Sequence, residues 1–258
     1  MDLELKGKRA LVTGASKGIG RACAEALAAE GCAVMIAARD AGRLNAAAKE
    51  IAAASGAEVK ARPIDLSQRG SAEALAAWAG ELDILVNNAG AIPGGDLLKV
   101  DEETWRRAWD LKVFGYINLC RAAYADMKRR KLGVIVNVLG NAGEKLDASY
   151  IAGSTANAGL MAFTRALGGV SHADGIRVVG VNPGPVATDR LISLYKQRAE
   201  VKLGNAGRYR ELFEGMSFGR PATPEEIAAA VAFLASSRSS YTTGCILSID
   251  GGLAARSN

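Results

Sequence analysis

The chain has 258 residues, of which 49% are hydrophobic, enough for a large buried core and too many for a disordered protein. A single histidine, His172, and four cysteines without a CxxC pair argue against a histidine-based metal site and a Ser-His-Asp triad, so no metal site is predicted. The formal charge of +5 is scattered, and its one dense run, 128–131, indicates a cationic helix end rather than a nucleic-acid patch.

Short apolar strands alternate with Ala-rich helical segments along the whole chain. Strands are predicted at 9–13, 33–38, within 58–65, and at 84–87, 134–138, 177–182 and 246–249. Helices are predicted at 19–30, 41–55, 71–79, 101–130, 149–173 and 223–234. This alternation implies parallel pairing, and the apolar strands imply burial on both faces. The predicted fold is therefore α/β, a doubly wound Rossmann-like parallel sheet of about seven strands in a single domain spanning 1–258.

Local signals mark several element ends. Gly31 is predicted to close the first helix, Ser71 to cap the third, and Thr223 with Glu226 to form a capping box. The segment 189–217 breaks the alternation. It is weakly periodic and mixed in charge, and we expect a lid loop without clear regular structure on the ligand side of the sheet.

A glycine turn joins the first strand to the first helix. It reads Thr13-Gly14-Ala15-Ser16-Lys17-Gly18-Ile19-Gly20. Glycines suit a sharp turn that a ligand approaches closely, and the free N–H groups that open the helix suit a phosphate. The glycine spacing differs from that of the usual dinucleotide fingerprint.

Four motifs together are similar to those of the short-chain dehydrogenase/reductase family, and the resemblance covers almost the whole chain. They are the glycine turn, Asn87-Asn88-Ala89-Gly90 after the fourth strand, Asn182-Pro183-Gly184 with Thr188, and Asp250-Gly251-Gly252. The resemblance implies an oxidoreductase with a nicotinamide cofactor. The cofactor-binding residues that it implies are Gly14, Ser16, Lys17, Gly18, Ile19, Gly20, Arg39, Asp65, Leu66, Asn87, Ala89, Gly90, Tyr150, Pro183, Gly184 and Thr188.

The end of the second strand favours NADP(H) over NAD(H). The family binds the ribose hydroxyls of NAD with an acidic residue there, whereas this chain has Arg39. Its guanidinium suits a 2′-phosphate, and Lys17 adds a second cation. The alternative is that both are solvated surface cations.

The resemblance breaks at the family's four active-site positions. Tyr150 matches the tyrosine that moves the proton, but Ser154 stands where the YxxxK lysine is expected. Gly140 takes the place of the serine, and Lys112 takes the place of the asparagine in the long helix.

Two hypotheses address these gaps. Lys112 is predicted to replace the missing lysine beside Tyr150 and the ribose; the alternative is a side chain that reaches solvent. Asn141 is predicted to replace the serine, with Ser149 and Ser154 as alternatives, and its simpler interpretation is a turn residue.

The predicted function is NADP(H)-dependent interconversion of a carbonyl and an alcohol, with Tyr150 as general acid/base, Lys112 as relocated lysine and Asn141 as substrate contact. The alternative is a non-catalytic NADP(H)-binding sensor or partner subunit. An excess of two positive charges in 189–217 favours an anionic substrate, and fits a solvated helical lid equally well. We further expect a cytoplasmic homodimer or homotetramer, without nucleic-acid or membrane partners.

Overall fold

The computed structural model describes residues 1–256 and contains one parallel sheet of seven strands in the order β3-β2-β1-β4-β5-β6-β7. The strands are β1 Arg9–Thr13, β2 Ala33–Ala38, β3 Val59–Pro63, β4 Ile84–Asn87, β5 Gly133–Val138, β6 Ile176–Pro183 and β7 Ile246–Ile249. The predicted fold class is confirmed.

Residues 1–256 also form eight α-helices. They are α1 Gly18–Ala29, α2 Ala41–Ser55, α3 Ser71–Ala79, α4 Glu102–Trp109, α5 Gly115–Arg130, α6 Ile151–Ser171, α7 Asp189–Leu203 and α8 Pro224–Ala235. Helices α1, α2 and α8 share a core with one face of the sheet, and α3 and α5 share a core with the other. Within residues 1–256, no helix combines the length and apolar character that crossing a membrane requires.

Buried β1 fixes the centre of the sheet. Its Val12 pairs with Ile36 of β2 on one side and with Val86 of β4 on the other. The strand order reverses between these two neighbours, so the crossovers leave in opposite directions. A crevice therefore opens at the carboxyl ends of β1 and β4, the usual ligand position in such sheets.

Several local expectations are confirmed. Gly31 has a left-handed φ of +83° after α1, and Thr223 with Glu226 forms the reciprocal capping box of α8. One expectation is wrong, because Gly70, not Ser71, is the N-cap of α3.

The long helix predicted at 101–130 is interrupted by a π-helical turn, Asp110–Phe114, between α4 and α5. The segment 189–217 is also different from the prediction, because it is mostly helical. Helix α7 fills its first half, and 3₁₀ turns at Ala206–Phe213 and from Ser217 follow. Stacking of Tyr195 on Phe213, with ring centroids 5.1 Å apart, holds these pieces together.

Candidate active site

In the glycine turn, backbone segments lie very close to one another. Gly14 and Gly18 have left-handed φ values of +66° and +58°. A Cβ on Gly14 would stand 2.9 Å from the Ala89 Cα, and one on Gly20 would stand 2.5 Å from the Gly14 carbonyl oxygen. Lys17 is the N-cap of α1 and makes no side-chain capping bond, so the first N–H groups of the helix face the crevice. This geometry fits a phosphate group.

Thr13 and Asn88, which the sequence did not single out as binding residues, hold this turn in place. The backbone N–H of Asn88 donates to Thr13 Oγ1 at 2.9 Å, and its Nδ2 donates to the Thr13 carbonyl at 3.0 Å. The neighbouring Asn87 was predicted to bind cofactor, but its side chain is 1% exposed and donates to Asn137 Oδ1 at 3.0 Å. Its amide therefore faces the core. The alternation of side chains along a strand was the available signal.

One end of the crevice is a cationic cavity beside the glycine turn. Its lining residues are Gly14, Ser16, Lys17, Ala37, Ala38, Arg39, Asp40, Arg43, Ile64, Leu66, Ala89, Gly90, Ala91, Leu111 and Arg190. Arg39 and Lys17 are both exposed, and no ion pair within residues 1–256 includes either of them. The nearby Asp65 carboxylate accepts from the Ser67 N–H at 3.0 Å. Seven of the sixteen predicted cofactor-binding residues line this cavity.

The other end of the crevice continues across Gly14, Lys17, Gly90 and Arg190 to the start of α7. Its lining residues are Gly14, Lys17, Gly18, Ile19, Asn88, Gly90, Lys112, Val138, Leu139, Gly140, Pro183, Gly184, Pro185, Val186, Thr188, Asp189, Arg190, Leu191 and Leu194. Gly184 has no room for a side chain, because a Cβ there would stand 2.8 Å from the Asp250 Cα. The Asp250-Gly251-Gly252 motif thus supports the turn from behind.

Lys112 lies in the π turn and points into this second end. Its Nζ donates to the Leu139 carbonyl oxygen at 2.9 Å and lies 5.6 Å from the centre of the Tyr116 ring. Burial, together with repulsion from Arg190, lowers the pKa of Lys112 to about 8. The alternative of a lysine that reaches solvent is wrong. The expected contact with Tyr150 is also absent from the hydrogen bonds of the described residues.

Tyr150 is the N-cap of α6, and its ring lies directly over the Cα of Gly153, so that a Cβ at residue 153 would overlap the ring. Tyr150 packs against the apolar cluster of Ile92, Ala108, Ala152 and Ala156, as do Trp105 and Trp109. Burial raises the pKa of Tyr150, and the guanidinium of Arg190 beside its hydroxyl partly offsets this effect.

Arg190 is the cation that adjoins Tyr150, and the sequence reasoning missed that role. It is the second residue of α7, and its Nη2 donates to the Ile92 carbonyl oxygen at 2.6 Å, across 98 residues of sequence. Its position two residues after Thr188 was the only local signal.

The predicted replacements for the serine have other structural roles. Ser149 Oγ donates to Asp147 Oδ1 at 2.6 Å, and Ser154 Oγ accepts from the Asp147 N–H at 3.1 Å. The Asn141 carbonyl accepts from the N–H groups of Glu144 and Lys145, as expected of a turn residue. These contacts favour the simpler interpretation of Asn141.

Asn157, not Ser154, is the α6 residue that faces Gly140. A Cβ on Gly140 would stand 3.0 Å from Asn157 Nδ2. The Asn157 side chain is 3% exposed, and its Oδ1 has no hydrogen-bond partner. Residues 153 and 157 lie one helical turn apart on this inner face. Ser154 lies off this inner face, so a lysine side chain at residue 154 would not point into the crevice.

Comparisons with known proteins agree with this architecture. The family model described as "short chain dehydrogenase" matches residues 8–199. The 3-oxoacyl-[acyl-carrier-protein] reductase of Chlamydia muridarum is 33% identical over 258 residues, covering 98% of this chain and 100% of that protein. The cis-4-hydroxycyclohexanecarboxylate dehydrogenase of Sinomonas cyclohexanicum is 37% identical over 257 residues, with 95% and 96% coverage.

Among solved structures, L-sorbose reductase from Gluconobacter frateurii, in complex with NADPH and L-sorbose, matches with a TM-score of 0.94 at 30% identity and covers 100% of both chains. This chain belongs to the short-chain dehydrogenase/reductase family, and it is an oxidoreductase by that membership.

Proposed function

We propose that the protein is an NADP(H)-dependent oxidoreductase that interconverts a carbonyl and an alcohol on a small molecule. The observation that carries the proposal is the cationic cavity beside the glycine turn, where Lys17, Arg39 and Arg43 lie together. Three cations suit a ribose 2′-phosphate, and Arg39 is free to pair with it. The NADPH complex of the related L-sorbose reductase supports the same choice.

The glycine turn would hold the pyrophosphate, with Asp65 and Leu66 at the adenine side and Pro183, Gly184 and Thr188 at the nicotinamide side. The tight packing around Gly14 and Gly20 leaves the backbone of this turn open to a bound phosphate. When bound, the nicotinamide supplies or accepts the hydride.

Tyr150 is the proposed general acid/base, which donates a proton to the carbonyl oxygen or takes one from the alcohol. Arg190 provides the neighbouring positive charge that eases loss of that proton. Lys112 provides a second charge at the end of the crevice formed by Leu139 and Gly140. This division of roles replaces the initial hypothesis that Lys112 alone supports Tyr150. Asn141 remains a predicted substrate contact. Its role in the turn, where its carbonyl accepts two hydrogen bonds, argues against that prediction.

The cofactor assignment is tested by replacing Arg39. We expect wild-type protein to bind NADPH more tightly than NADH, and Arg39→Gln to raise the NADPH Kd by about 10- to 100-fold, because a charge-assisted hydrogen bond to the 2′-phosphate is lost. The NADH Kd should not change. Fluorescence titration measures both constants, with Arg69→Gln as the control because Arg69 is exposed outside the crevice. Equal wild-type affinities for the two nucleotides would contradict the assignment.

The proton-transfer role is tested by Tyr150→Phe. Turnover of any carbonyl substrate found by screening should fall by about 10²–10⁴-fold, because a positioned acid is lost. Turnover is compared at saturating NADPH, because Tyr150 is also a predicted cofactor contact. Tyr241→Phe is the control, since Tyr241 is fully exposed.

The rival interpretation, a non-catalytic NADP(H) sensor or partner subunit, draws support from one observation: Gly140 offers no hydroxyl where the family has serine. Unchanged turnover or full biological activity in Tyr150→Phe would favour it. We also propose a cytoplasmic homodimer or homotetramer, which sedimentation equilibrium would test. Support for assembly comes from the family and from Gly159 on α6, where a Cβ would meet no atom within 4 Å.

A further inference from the structure

Arg190 occupies a central position in the crevice. Its side chain lines the cationic cavity, the cavity at Lys112, and a third cavity that reaches the Ile92 loop and α4. The hydrogen bond to the Ile92 carbonyl carries it across the cleft from α7. Ile92 and Tyr150 belong to the same apolar cluster, so this guanidinium lies between the cofactor crevice and the surroundings of Tyr150.

The charges around Arg190 are unbalanced. Within residues 1–256, neither Arg190 nor Lys112 takes part in an ion pair. The carboxylates that line the three cavities are Asp40, which pairs with Arg43, Asp65, which accepts from Ser67, Asp110, and Asp189 at the rim; the lysines and arginines that line them outnumber these carboxylates. Two cations thus lie near each other, and Arg190 destabilises the charged form of Lys112. An anion held between them would relieve this repulsion.

The guanidinium has donors to spare. Arginine presents five N–H donors in a planar fork, and the hydrogen bond from Arg190 to the Ile92 carbonyl uses Nη2 alone. The remaining fork matches the two oxygens of a carboxylate. Lysine in the same place would act only as a point charge.

We infer that Arg190 binds the carboxylate of the substrate while the reacting carbonyl oxygen lies on the Tyr150 hydroxyl. Arg190 is hydrogen-bonded to the Ile92 carbonyl, and Ile92 and Tyr150 belong to one apolar cluster, so a substrate that meets both side chains has its carboxylate close to its carbonyl, one or two carbons away. The substrate class is then a 2-oxo or 3-oxo acid and the matching hydroxy acid. This inference rests on the proposed function.

The reaction balances without a further reagent. In reduction, the C=O π bond breaks, the carbon gains a hydride from NADPH, and the oxygen gains a proton from Tyr150. NADPH becomes NADP⁺, and the tyrosinate regains its proton from solvent. The carboxylate takes no part in bond changes and serves only to hold the substrate.

The pyrophosphate of the cofactor is a second anion that would suit the Arg190 guanidinium. The test therefore measures NADP⁺ binding first, in wild type, in Arg190→Gln and in the control Arg198→Gln. Arg198 lies on the same helix, is exposed, and contacts the Tyr195 ring instead of the crevice. Calorimetry then titrates the NADP⁺-loaded proteins, in which no reduction can occur, with 2-oxobutanoate, acetoacetate and their methyl esters.

We expect at least one of the two acids to bind wild type and Arg198→Gln, and to bind Arg190→Gln about 10- to 100-fold more weakly. The esters should bind all three proteins equally weakly, and the NADP⁺ Kd should be the same in all. A weaker NADP⁺ Kd in Arg190→Gln, with equal acid binding, assigns the arginine to the pyrophosphate and overturns the inference. Absence of acid binding to loaded wild type overturns it while leaving the proposed function intact. Failure of wild type to bind NADP⁺ overturns both.

Discussion

Lys112 shows how the environment of one residue changes its chemistry. An ordinary lysine stays charged well above neutral pH, but burial in the π turn and the nearby Arg190 lower the pKa of Lys112 to about 8. The depressed value means that this ammonium loses its proton within the range where enzymes are assayed. Three of the four thiols do not titrate there. Burial raises the pKa values of Cys23, Cys32 and Cys120 to about 12.

This shift predicts a pH dependence of anion binding. Below pH 8 the crevice holds the Lys112 charge, and above pH 8 that charge is lost, so NADPH affinity should fall as the pH rises from 7 to 9. Titrations at several pH values should place a break near pH 8, the pKa of the free protein. In Lys112→Met the break should disappear. A break that persists in this variant would assign it to another group.

At the scale of residues, the positions where the backbone requires glycine were predictable from the sequence. Contacts between side chains of distant elements were not. The glycine turn is recognisable because Gly14 and Gly18 need left-handed φ values and Gly20 has no space for a Cβ. The proximity of Arg190 to Tyr150 was not predictable, because it depends on how far α7 leans over the sheet. No sequence spacing encodes that distance.

At the scale of elements, the start of α8 has a complete capping box. Thr223 Oγ1 accepts from the Glu226 N–H at 3.3 Å, and the Glu226 carboxylate accepts from the Thr223 N–H at 2.7 Å. An ion pair with Arg220 helps lower the pKa of Glu226 to about 2, so the carboxylate stays charged in mild acid. Because Ile227 and Val231 of α8 are fully buried, fraying at this end exposes core.

Thr223→Ala should therefore lower the free energy of unfolding by about 1 kcal/mol, the usual cost of a lost N-cap. For a chain of this size the melting temperature should fall by about 2–4 °C. Calorimetric or denaturant unfolding measures both. Thr155→Ala is the matched control, because Thr155 is exposed within α6 and caps no helix end, so its loss should cost much less. Equal effects in the two variants would mean that the box adds no stability.

Element boundaries were predictable from periodicity wherever one face packs on the sheet. The segment 189–217 was not, because the contacts that order it join α7 to the following 3₁₀ turn, not to the sheet. The stacking of Tyr195 on Phe213 is an example. The π turn at Asp110–Phe114 was also hidden, since it contains neither proline nor glycine.

At the scale of the whole molecule, ligand binding in the crevice should stabilise the fold. Both halves of the sheet contribute walls, β1 and β2 at the cationic end and β4, β5 and β6 at the other. A ligand that spans them binds only the folded chain, and it stabilises that state by about 2.7 kcal/mol at 100 times its Kd.

Saturating NADPH should accordingly raise the melting temperature by about 5–11 °C, at about 2–4 °C per kcal/mol. NADH at the same concentration should give a smaller shift. Differential scanning fluorimetry compares them, and in Arg39→Gln the two shifts should become similar. Identical shifts in wild type would contradict the proposed cofactor preference.

The π turn between α4 and α5 has a consequence for how this active site can change. It holds one residue more than an α-helical turn, which rotates α5 by about 100° relative to α4. Trp105 and Trp109 of α4 therefore pack in the same apolar cluster as Tyr150, while Tyr116 and Leu119 of α5 are buried in the core clusters beside the sheet. Deletion of a single residue here would rotate α5 by about 100° and turn Tyr116 and Leu119 away from the core. In evolutionary terms, substitutions on α4 can alter the surroundings of Tyr150 without altering the residues of α5 that pack in the core.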